Sequence, residues 1–254
     1  MSVDVFAKNF LVTFRHIDRG GFLSPVAALD YLEEAAFSHA ELLGVGYEAM
    51  MERRQVWILS RISVRMDKRP RLHENITVSS WPRGHDRLFA VRDYEIARDG
   101  QPLVRGRSDW IIFDLDKRRP IRPEEIMDRL PLNDGKNALT ESPAALGEME
   151  GLSHAATRKA LYPDLDFNGH VHNTRYMQWI CDLFDPEEIE KAPSISVDIN
   201  YLREITALSV TELWFGETDG VYHIEGRQES GPVFRARVAF QSASPPHAKQ
   251  AGLC

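Results

Sequence analysis

The sequence predicts an α+β protein built from two similar units, each a long helix followed by antiparallel strands. Three observations support this fold class. Residues 25 to 43 carry apolar side chains at helical spacing, several later segments alternate apolar and polar residues, and the same order of elements returns in the second half of the chain.

The first predicted helix, over residues 25 to 43, has clearly marked ends. Ser24 offers a side-chain oxygen to the free N–H groups of the first turn, and Pro25 suits the first helical position. Gly44 can adopt the left-handed conformation that commonly ends a helix. We therefore expect one helix that begins after Ser24 and ends before Gly44.

Strands are predicted after this helix because apolar and polar residues alternate there. The segments are 56 to 66, 75 to 81, 87 to 98 and 103 to 114, and Asp99-Gly100 is typical of a hairpin turn. Residues 116 to 153 are rich in Pro and Gly with weak periodicity, which predicts a linker with one or two short helices.

The second half repeats this order at an offset of 148 residues, which places Gly20-Gly21 on Asn168-Gly169. A strand near 154 to 162 leads to a helix from about residue 173, and strands such as 194 to 201 and 233 to 240 follow. The predicted organisation is a first domain over 1–130, a linker over 131–153, a second domain over 154–245 and a tail over 246–254.

Composition excludes several classes of protein. With 254 residues, 43% hydrophobic residues and two cysteines, the chain is neither a disordered protein nor a disulfide scaffold. The net charge of −7 argues against nucleic acid as the main partner. No stretch reaches the ~18 apolar residues of a membrane helix, and no signal peptide is recognised, so we expect a cytoplasmic protein without membrane association.

The densest polar cluster lies between the first strand and the helix of the second half, over residues 164 to 173. A calcium loop is disfavoured because Arg175 occupies the position that needs a bidentate carboxylate. His170 and His172 leave zinc open, although no HExxH motif or cysteine pair supports it. A plain turn with an N-capping Asn173 also stays open.

The remaining interpretation of this cluster is a hydrolytic site. The N-terminus of a helix carries free N–H groups and a positive dipole, which can stabilise an oxyanion. Asp166, Asn168 and His170 alternate along the entry to the predicted helix. An acid, an amide and an imidazole at this spacing can position a water molecule and transfer protons.

These residues carry a family resemblance. Residues 162 to 179 read YPDLDFNGHVHNTRYMQW, which resembles the signature of acyl-acyl-carrier-protein (acyl-ACP) thioesterases, a D-x-N-x-H core followed by N-x-x-Y-x-x-W. The similarity covers most of residues 10 to 240 and includes the following segments: Ser24 to Gly44, Ile58 to Met66, Trp81 to Gly84, Ser108 to Trp110 and Arg118 to Pro120.

The resemblance implies two fused hotdog domains, each a long helix wrapped by an antiparallel sheet. It further implies hydrolysis of the thioester between a fatty acyl chain and acyl carrier protein, without a metal or an organic cofactor. The family's D-x-N-x-H residues correspond to Asp166, Asn168 and His170. The acyl tail is expected in the first domain, around Leu29 to Val45 and Ile58 to Met66.

The fourth family residue is a carboxylate in a segment that reads Y-R-R-E-C. Here the segment is YLREI over residues 201 to 205, so Glu204 is retained while the cysteine is replaced by Ile205. An isoleucine cannot attack a thioester, and Cys181 is expected on a helix face beside Met177. Glu204 is then the general base toward water or the nucleophile. Strict strand alternation points it away from the Tyr201 face, so a strand end or a bulge is needed to aim it.

The partner implied by the resemblance is the acidic acyl carrier protein. One stretch of the sequence offers it a basic surface, formed by Arg53, Arg54, Arg61, Arg65, Lys68, Arg69 and Arg71. Two functional alternatives remain, an acyl-CoA thioesterase and a non-catalytic acyl-binding hotdog protein. The resemblance also leaves a homodimer open.

Overall fold

The computed structural model describes residues 4–131, 133 and 135–241. The helices of this part of the chain are α1 (Pro25–Leu42), α2 (Tyr47–Glu52), α3 (Glu124–Met127), α4 (Asn173–Cys181) and α5 (Pro186–Lys191). The strands are β1 (Phe6–Leu11), β2 (Gln55–Met66), β3 (Asn75–Asp86), β4 (Phe89–Arg98), β5 (Gln101–Asp114), β6 (Arg119–Ile121), β7 (Ser153–Lys159), β8 (Ser194–Tyr201), β9 (Val210–Thr218), β10 (Val221–Gln228) and β11 (Gly231–Gln241). The predicted tail over 246–254, with Cys254, lies outside the described residues.

The strands of this described part join into one antiparallel sheet. Its order is β1-β3-β4-β5-β2-β8-β11-β10-β9-β7, with β6 added to β5. The first five strands of that order come from the first half of the chain and the last five from the second half. The sheet is therefore two five-stranded sheets joined edge to edge. Helix α1 packs on β1, β3 and β4, and Tyr176 of α4 packs on Tyr201 and Phe234 of the second half. The predicted α+β fold class is confirmed.

The join between the halves is the pairing of β2 with β8, in register from Arg61 opposite Asn200 to Met66 opposite Ile195. A buried charge cluster reinforces it. Asp198 accepts hydrogen bonds from Ser63 Oγ at 2.7 Å and from Arg65 Nη2 at 2.8 Å, both on β2. The two halves therefore share backbone hydrogen bonds and an ion pair.

Helix α1 begins and ends where its sequence predicts. Ser24 Oγ accepts a hydrogen bond from the N–H of Ala27 at 3.1 Å, Pro25 is the first helical residue, and Gly44 has a φ of +70°. Its apolar face is buried against the first half of the sheet. The predicted hairpin turn is also confirmed, because Asp99 and Gly100 both have positive φ between β4 and β5.

Helix α4 begins at Asn173 as predicted and ends at Cys181. Asp185 precedes Pro186, which disfavours helical geometry at the aspartate. The Asp185 side chain then caps α5 by accepting a hydrogen bond from the N–H of Glu187. No helix in the described residues is long and apolar enough to cross a membrane.

The two halves enter their helices through the same loop. An isolated bridge joins Ile17 to Leu23 in the first half and Leu165 to Val171 in the second. These pairs are 148 residues apart, the offset predicted from the sequence. The repeat of element order therefore extends to the backbone of the loop that carries the polar cluster.

Candidate active site

The loop before α4 is held in shape by Asp166. Its Oδ1 accepts hydrogen bonds from the backbone N–H groups of Asn168 at 2.8 Å and His170 at 3.0 Å. Its own N–H donates to the carbonyl oxygen of His170 at 2.8 Å, and the Gly169 N–H donates to the Asp166 carbonyl at 3.1 Å. Asp166 thus fixes where Asn168 and His170 point, and Gly169 supplies a φ of +81° that few other residues adopt.

His170 meets the other predicted carboxylate. Its Nε2 lies 3.4 Å from Glu204 Oε2, and the Glu204 side chain is 59% exposed. A backbone bridge between His170 and Thr206 holds the two segments together. The structure therefore brings together the four residues singled out in the sequence, Asp166, Asn168, His170 and Glu204, on one loop and the segment that crosses it.

Glu204 does not lie on a strand. Strand β8 ends at Tyr201, and the chain then turns toward Thr206. The carbonyl of the following residue, Ile205, accepts a hydrogen bond from the N–H of Val171 at 2.8 Å, which places this segment across the loop. The strand end that the sequence required to aim Glu204 is present.

The N-cap of α4 is His172, so the interpretation that made Asn173 the cap is wrong. His172 Nδ1 accepts from the N–H of Thr174 at 3.4 Å and lies 3.0 Å from Thr174 Oγ1. Asn173 is instead the first helical residue, and its side chain donates a hydrogen bond to Glu33 on α1. An imidazole nitrogen is an unusual cap, which is why the sequence favoured the neighbouring asparagine.

A cavity of about 460 Å³ opens beside this loop and runs into the first half of the molecule. Asp166, Asn168 and Asn173 line one end. Most of the side chains beyond them are apolar and come from the first half of the chain: Ala36, Phe37, Ala40, Val45, Met50, Val56, Trp57, Ala90, Trp110, Met127 and Leu130. Polar side chains of that half also line the cavity, among them Asp30, Glu34, Gln55 and Arg92. The volume and lining suit a small ligand with one polar end and a long apolar part.

Two segments are expected around the acyl tail, and only the first contributes residues to this cavity. Residues from the Leu29 to Val45 segment line it, but the contribution of β2 comes from Gln55, Val56 and Trp57 rather than from Ile58 to Met66. Inward-facing residues of that later segment, such as Ile62 and Val64, are buried in the core.

The structure adds a carboxylate that sequence reasoning missed. Glu33, on α1, lines the same end of the cavity as Asp166 and Asn168. Its Oε1 accepts a hydrogen bond from Asn173 Nδ2 at 3.1 Å, and its Oε2 lies 3.5 Å from His172 Nδ1. Burial raises the pKa of the Glu33 carboxyl, and His172 and the Asn173 hydrogen bond offset that only in part.

The two histidines of this loop therefore pair with carboxylates from other segments, and the two pairs lie on different sides of the loop. His170 pairs with Glu204, and neither residue lines the cavity, whereas His172 pairs with Glu33 at the cavity end. The two histidines thus face different carboxylates. Within the described residues, no group of three or more His, Cys, Asp or Glu side chains is arranged to hold a metal ion.

The equivalent loop of the first half carries no such pair. Positions 148 residues before Asn168, His170 and His172 hold Gly20, Phe22 and Ser24. The position 148 residues after Glu33 holds Cys181, and burial raises the pKa of that thiol to about 12. A thiol with this pKa stays protonated near neutral pH, which agrees with the expectation that Cys181 is not a nucleophile.

The stretch of basic residues between 53 and 71 is not a continuous free surface. Arg65 pairs with Asp198, and Arg61 lies 3.9 Å from Asp109. The Arg69 side chain is 4% exposed, pairs with Asp18, and donates to the carbonyl oxygens of Ile189 and Glu190. Arg69 therefore joins the two halves and is not available for docking.

The remaining members of this stretch are more accessible. Arg53, Lys68 and Arg71 are exposed, and Arg71 lies over the ring of Phe22. Arg54 is also exposed and pairs with Asp116.

Comparison with known proteins shows that two models of one protein family match this chain. The model of the acyl-ACP thioesterase N-terminal domain matches residues 3–130, and that of the acyl-ACP thioesterase C-terminal domain matches residues 152–229. The second match contains the loop, Glu204 and α4, and the first contains α1 and most of the residues that line the cavity.

Curated relatives and solved structures agree with these matches. A chloroplastic palmitoyl-acyl carrier protein thioesterase of Arabidopsis thaliana is 26% identical over 95% of this chain and 65% of its own length. One from Cuphea hookeriana is 25% identical over 82% of this chain and 54% of its own length. The chain thus spans about half to two thirds of the length of these relatives.

An acyl-ACP thioesterase from Bacteroides thetaiotaomicron superposes with a TM-score of 0.85 at 25% identity, covering 94% of this chain and 98% of that chain. A 12:0-ACP thioesterase from Umbellularia californica superposes with a TM-score of 0.82 at 21% identity, covering 95% of this chain and 98% of that chain.

Proposed function

The chain belongs to the acyl-ACP thioesterase family, and we propose that it hydrolyses the thioester between a fatty acyl chain and acyl carrier protein, giving a free fatty acid and the carrier thiol. The observation that carries the proposal is the cavity. A polar end at Asp166, Asn168 and Asn173 leads into an interior lined mostly by apolar side chains. A fatty acyl thioester has the same polarity, with one reactive polar end and a long apolar tail.

The proposed binding mode follows from this polarity. The acyl tail lies in the cavity of the first half, where it leaves water. The thioester then rests at the loop of the second half, and the phosphopantetheine arm leaves toward solvent. The first half thus acts as the acyl-binding domain and the second as the catalytic domain, as the predicted organisation assigns them.

The proposed chemistry uses the four predicted residues. Glu204, an exposed carboxylate 3.4 Å from His170, removes a proton from the attacking water. Asp166 fixes the backbone of the loop that carries Asn168 and His170. Asn168 and the positive end of the α4 dipole stabilise the oxyanion that forms on the carbonyl oxygen.

In a second mechanism, Glu204 acts as a nucleophile. Its carboxylate attacks the thioester carbonyl, and water hydrolyses the resulting anhydride. Hydrolysis in ¹⁸O-labelled water separates the two under single-turnover conditions. Direct attack by water places the label only in the fatty acid, whereas the anhydride route is able to leave label in Glu204 itself.

The carrier protein is proposed to dock on exposed basic residues near the cavity. Arg53 and Arg54 directly precede Gln55, Val56 and Trp57 of the cavity wall. Arg53 is better placed than Arg65 and Arg69, whose charges are already paired within the protein, and Arg54 is exposed although it pairs with Asp116. Attraction between these residues and an acidic partner is expected to weaken with salt.

The proposal is tested with matched panels of acyl-ACP and acyl-CoA thioesters, following release of free thiol and identifying the fatty acid formed. We expect release from acyl-ACP with a clear chain-length preference and slower release from acyl-CoA. Faster release from acyl-CoA would favour the coenzyme A alternative. Binding of acyl chains without any release would leave the non-catalytic alternative.

A further inference from the structure

We propose that Glu33 is a further catalytic residue, a general acid that protonates the departing thiol from the cavity side of the loop. This inference rests on the proposed thioester hydrolysis and adds a residue to it. The two oxygens of the Glu33 carboxyl differ in their hydrogen bonding. Oε1 accepts from Asn173 Nδ2 at 3.1 Å, while Oε2 is buried and has no hydrogen-bond partner in the described structure.

This asymmetry matches a neutral carboxylic acid better than a carboxylate. An ionised carboxylate presents two acceptor oxygens, and leaving one of them buried without a donor is costly. A neutral acid has one carbonyl oxygen, which here accepts from Asn173, and one hydroxyl, which needs no donor and can itself donate. Oε2 is therefore the atom that carries the proton.

The neighbouring imidazole supports the same assignment. His172 Nδ1 accepts from the N–H of Thr174, so in the neutral ring this nitrogen carries a lone pair. Glu33 Oε2 lies 3.5 Å from it. Two unprotonated acceptors at this separation repel each other, whereas one proton held by the pair removes the repulsion.

The position of Glu33 in the cavity wall supports the same role. It lines the cavity together with Asp166 and Asn168, so a thioester seated at this end lies beside the Glu33 carboxyl, and its buried Oε2 reaches the thioester by rotating away from His172. It comes from α1 of the first half and faces the N-terminus of α4 in the second. In the equivalent arrangement of the other half, where the loop lacks the polar residues, Cys181 takes its place.

The two carboxyl groups then have different tasks because their surroundings differ. Glu204 is 59% exposed and serves as the base, while the Glu33 side chain is 26% exposed and holds a proton. Water loses a proton to Glu204 as its oxygen bonds to the carbonyl carbon. When the tetrahedral intermediate collapses, the C–S bond breaks and sulfur takes the Glu33 proton. Glu204 then releases its proton to solvent, and solvent returns a proton to Glu33.

The dependence of rate on the leaving group tests this role. A thiol of high pKa needs a proton as it departs, and an aryl thiol of low pKa does not. Glu33→Gln keeps an oxygen for Asn173 but has no acidic proton. We expect kcat/KM to fall about 100-fold for an acyl-pantetheine thioester and only a few-fold for an aryl thioester of the same acyl chain.

Three controls frame the experiment. Glu204→Gln should slow both substrates alike, because the base acts on water. Exposed Glu48→Gln should change neither. His172→Asn keeps a good helix cap and removes the imidazole, and it should reproduce part of the leaving-group effect with little change in Tm.

The pH profile gives a second readout. Hydrolysis of the pantetheine thioester should slow at high pH as Glu33 loses its proton, and Glu33→Gln should lack that limb. The charged and titratable groups facing Glu33 are Asp30 on its own helix, Asp166 and His172 from the loop, and Tyr94 and Tyr201 from the sheet.

Equal losses for both thioesters, or no loss with either, would overturn the role of Glu33 while leaving the proposed function intact. Absence of thiol release by the unmodified protein would instead reject the proposed function.

Discussion

Asp18 and Asp166 occupy equivalent positions, 148 residues apart, in two copies of one loop. Each accepts a hydrogen bond from the N–H four residues later, Asp18 from Phe22 at 3.1 Å and Asp166 from His170 at 3.0 Å. The loop backbone is therefore the same in both halves. The two copies differ in their side chains, because Phe22 occupies the position that His170 has in the second copy.

The comparison of the two copies predicts the effect of exchanging these side chains. His170→Phe should lower turnover of acyl-ACP by about two to four orders of magnitude, the scale for losing a positioned acid–base group. Tm should change little, because the first copy already accommodates phenylalanine on the same backbone. Phe22→His is the matched control and should leave turnover near the unmodified level. Substantial turnover by His170→Phe would remove the imidazole from the mechanism.

Glu204 should be needed for turnover and dispensable for folding. Its side chain is 59% exposed, so Glu204→Ala removes little packing. We expect kcat to fall about 100- to 10,000-fold with Tm nearly unchanged. Exposed Glu229→Ala, on the turn before β11, provides the comparison. If Glu204→Ala turned over acyl-ACP at the unmodified rate, Glu204 would be only an exposed carboxylate.

Filling the cavity should shorten the preferred acyl chain. Ala90 is buried on β4 and lines the apolar part of the cavity. Ala90→Leu places three more carbon atoms in that space, so longer chains should lose kcat/KM relative to shorter ones. The profile is measured with acyl-ACP from C8 to C18. Ala7→Leu, on the exposed side of β1, should leave it unchanged, and an unaltered profile for Ala90→Leu would place the acyl tail elsewhere.

Asp198 should stabilise the join between the halves in a pH-dependent way. Burial alone would raise its pKa, but hydrogen bonds from Ser63 and Arg237 and the charge of Arg65 outweigh burial and lower the pKa. A lowered folded-state pKa gives stability that is present above about pH 4, the ordinary carboxyl pKa, and is lost as pH falls through the folded-state pKa.

Removing the charge leaves Arg65 and Arg237 without their partner, but both are partly exposed to solvent, so Asp198→Asn should lower the free energy of unfolding by about 1 to 3 kcal/mol at pH 7. The difference from the unmodified protein should shrink toward pH 3. Denaturant unfolding at both pH values measures it, with Asp99→Asn on the exposed β4–β5 turn as the control. A difference independent of pH would mean that packing, not charge, holds the join.

Carrier docking should depend on Arg53 more than on Arg69. Arg53→Glu is expected to raise KM for acyl-ACP several-fold with kcat unchanged, and the effect should fade with salt. The same change at Arg118, an exposed residue of the β5–β6 turn, is the comparison. Arg69→Glu should instead lower Tm, because it breaks buried contacts with Asp18 and α5. An unchanged KM at low salt would exclude Arg53 from docking.

Local patterns explain what the sequence predicted well. The ends of α1 follow from Ser24, Pro25 and Gly44, which act within a few residues of themselves. The loop geometry follows from Asp166, which bonds to backbone groups two and four residues away. The tandem fold follows from a repeat of element order that alternation and helical spacing reveal.

Contacts between distant segments explain what the sequence did not predict. Glu33 and Glu34 are adjacent acids on one helix, and only packing against the second half places Glu33 beside His172. The sequence predicts that Arg69 is a surface charge, but in the structure α5 covers it. The wall formed by Trp57 also depends on how β2 lies under α2, which periodicity does not specify.

The central claim is that this chain hydrolyses acyl-ACP with the acyl tail in the cavity and the thioester at the loop. The most direct measurement is the rate at which the purified protein releases carrier thiol and free fatty acid from acyl-ACP. We predict equal amounts of both products at a rate that depends on chain length. Intact acyl-ACP after prolonged incubation, at every chain length, would contradict the claim.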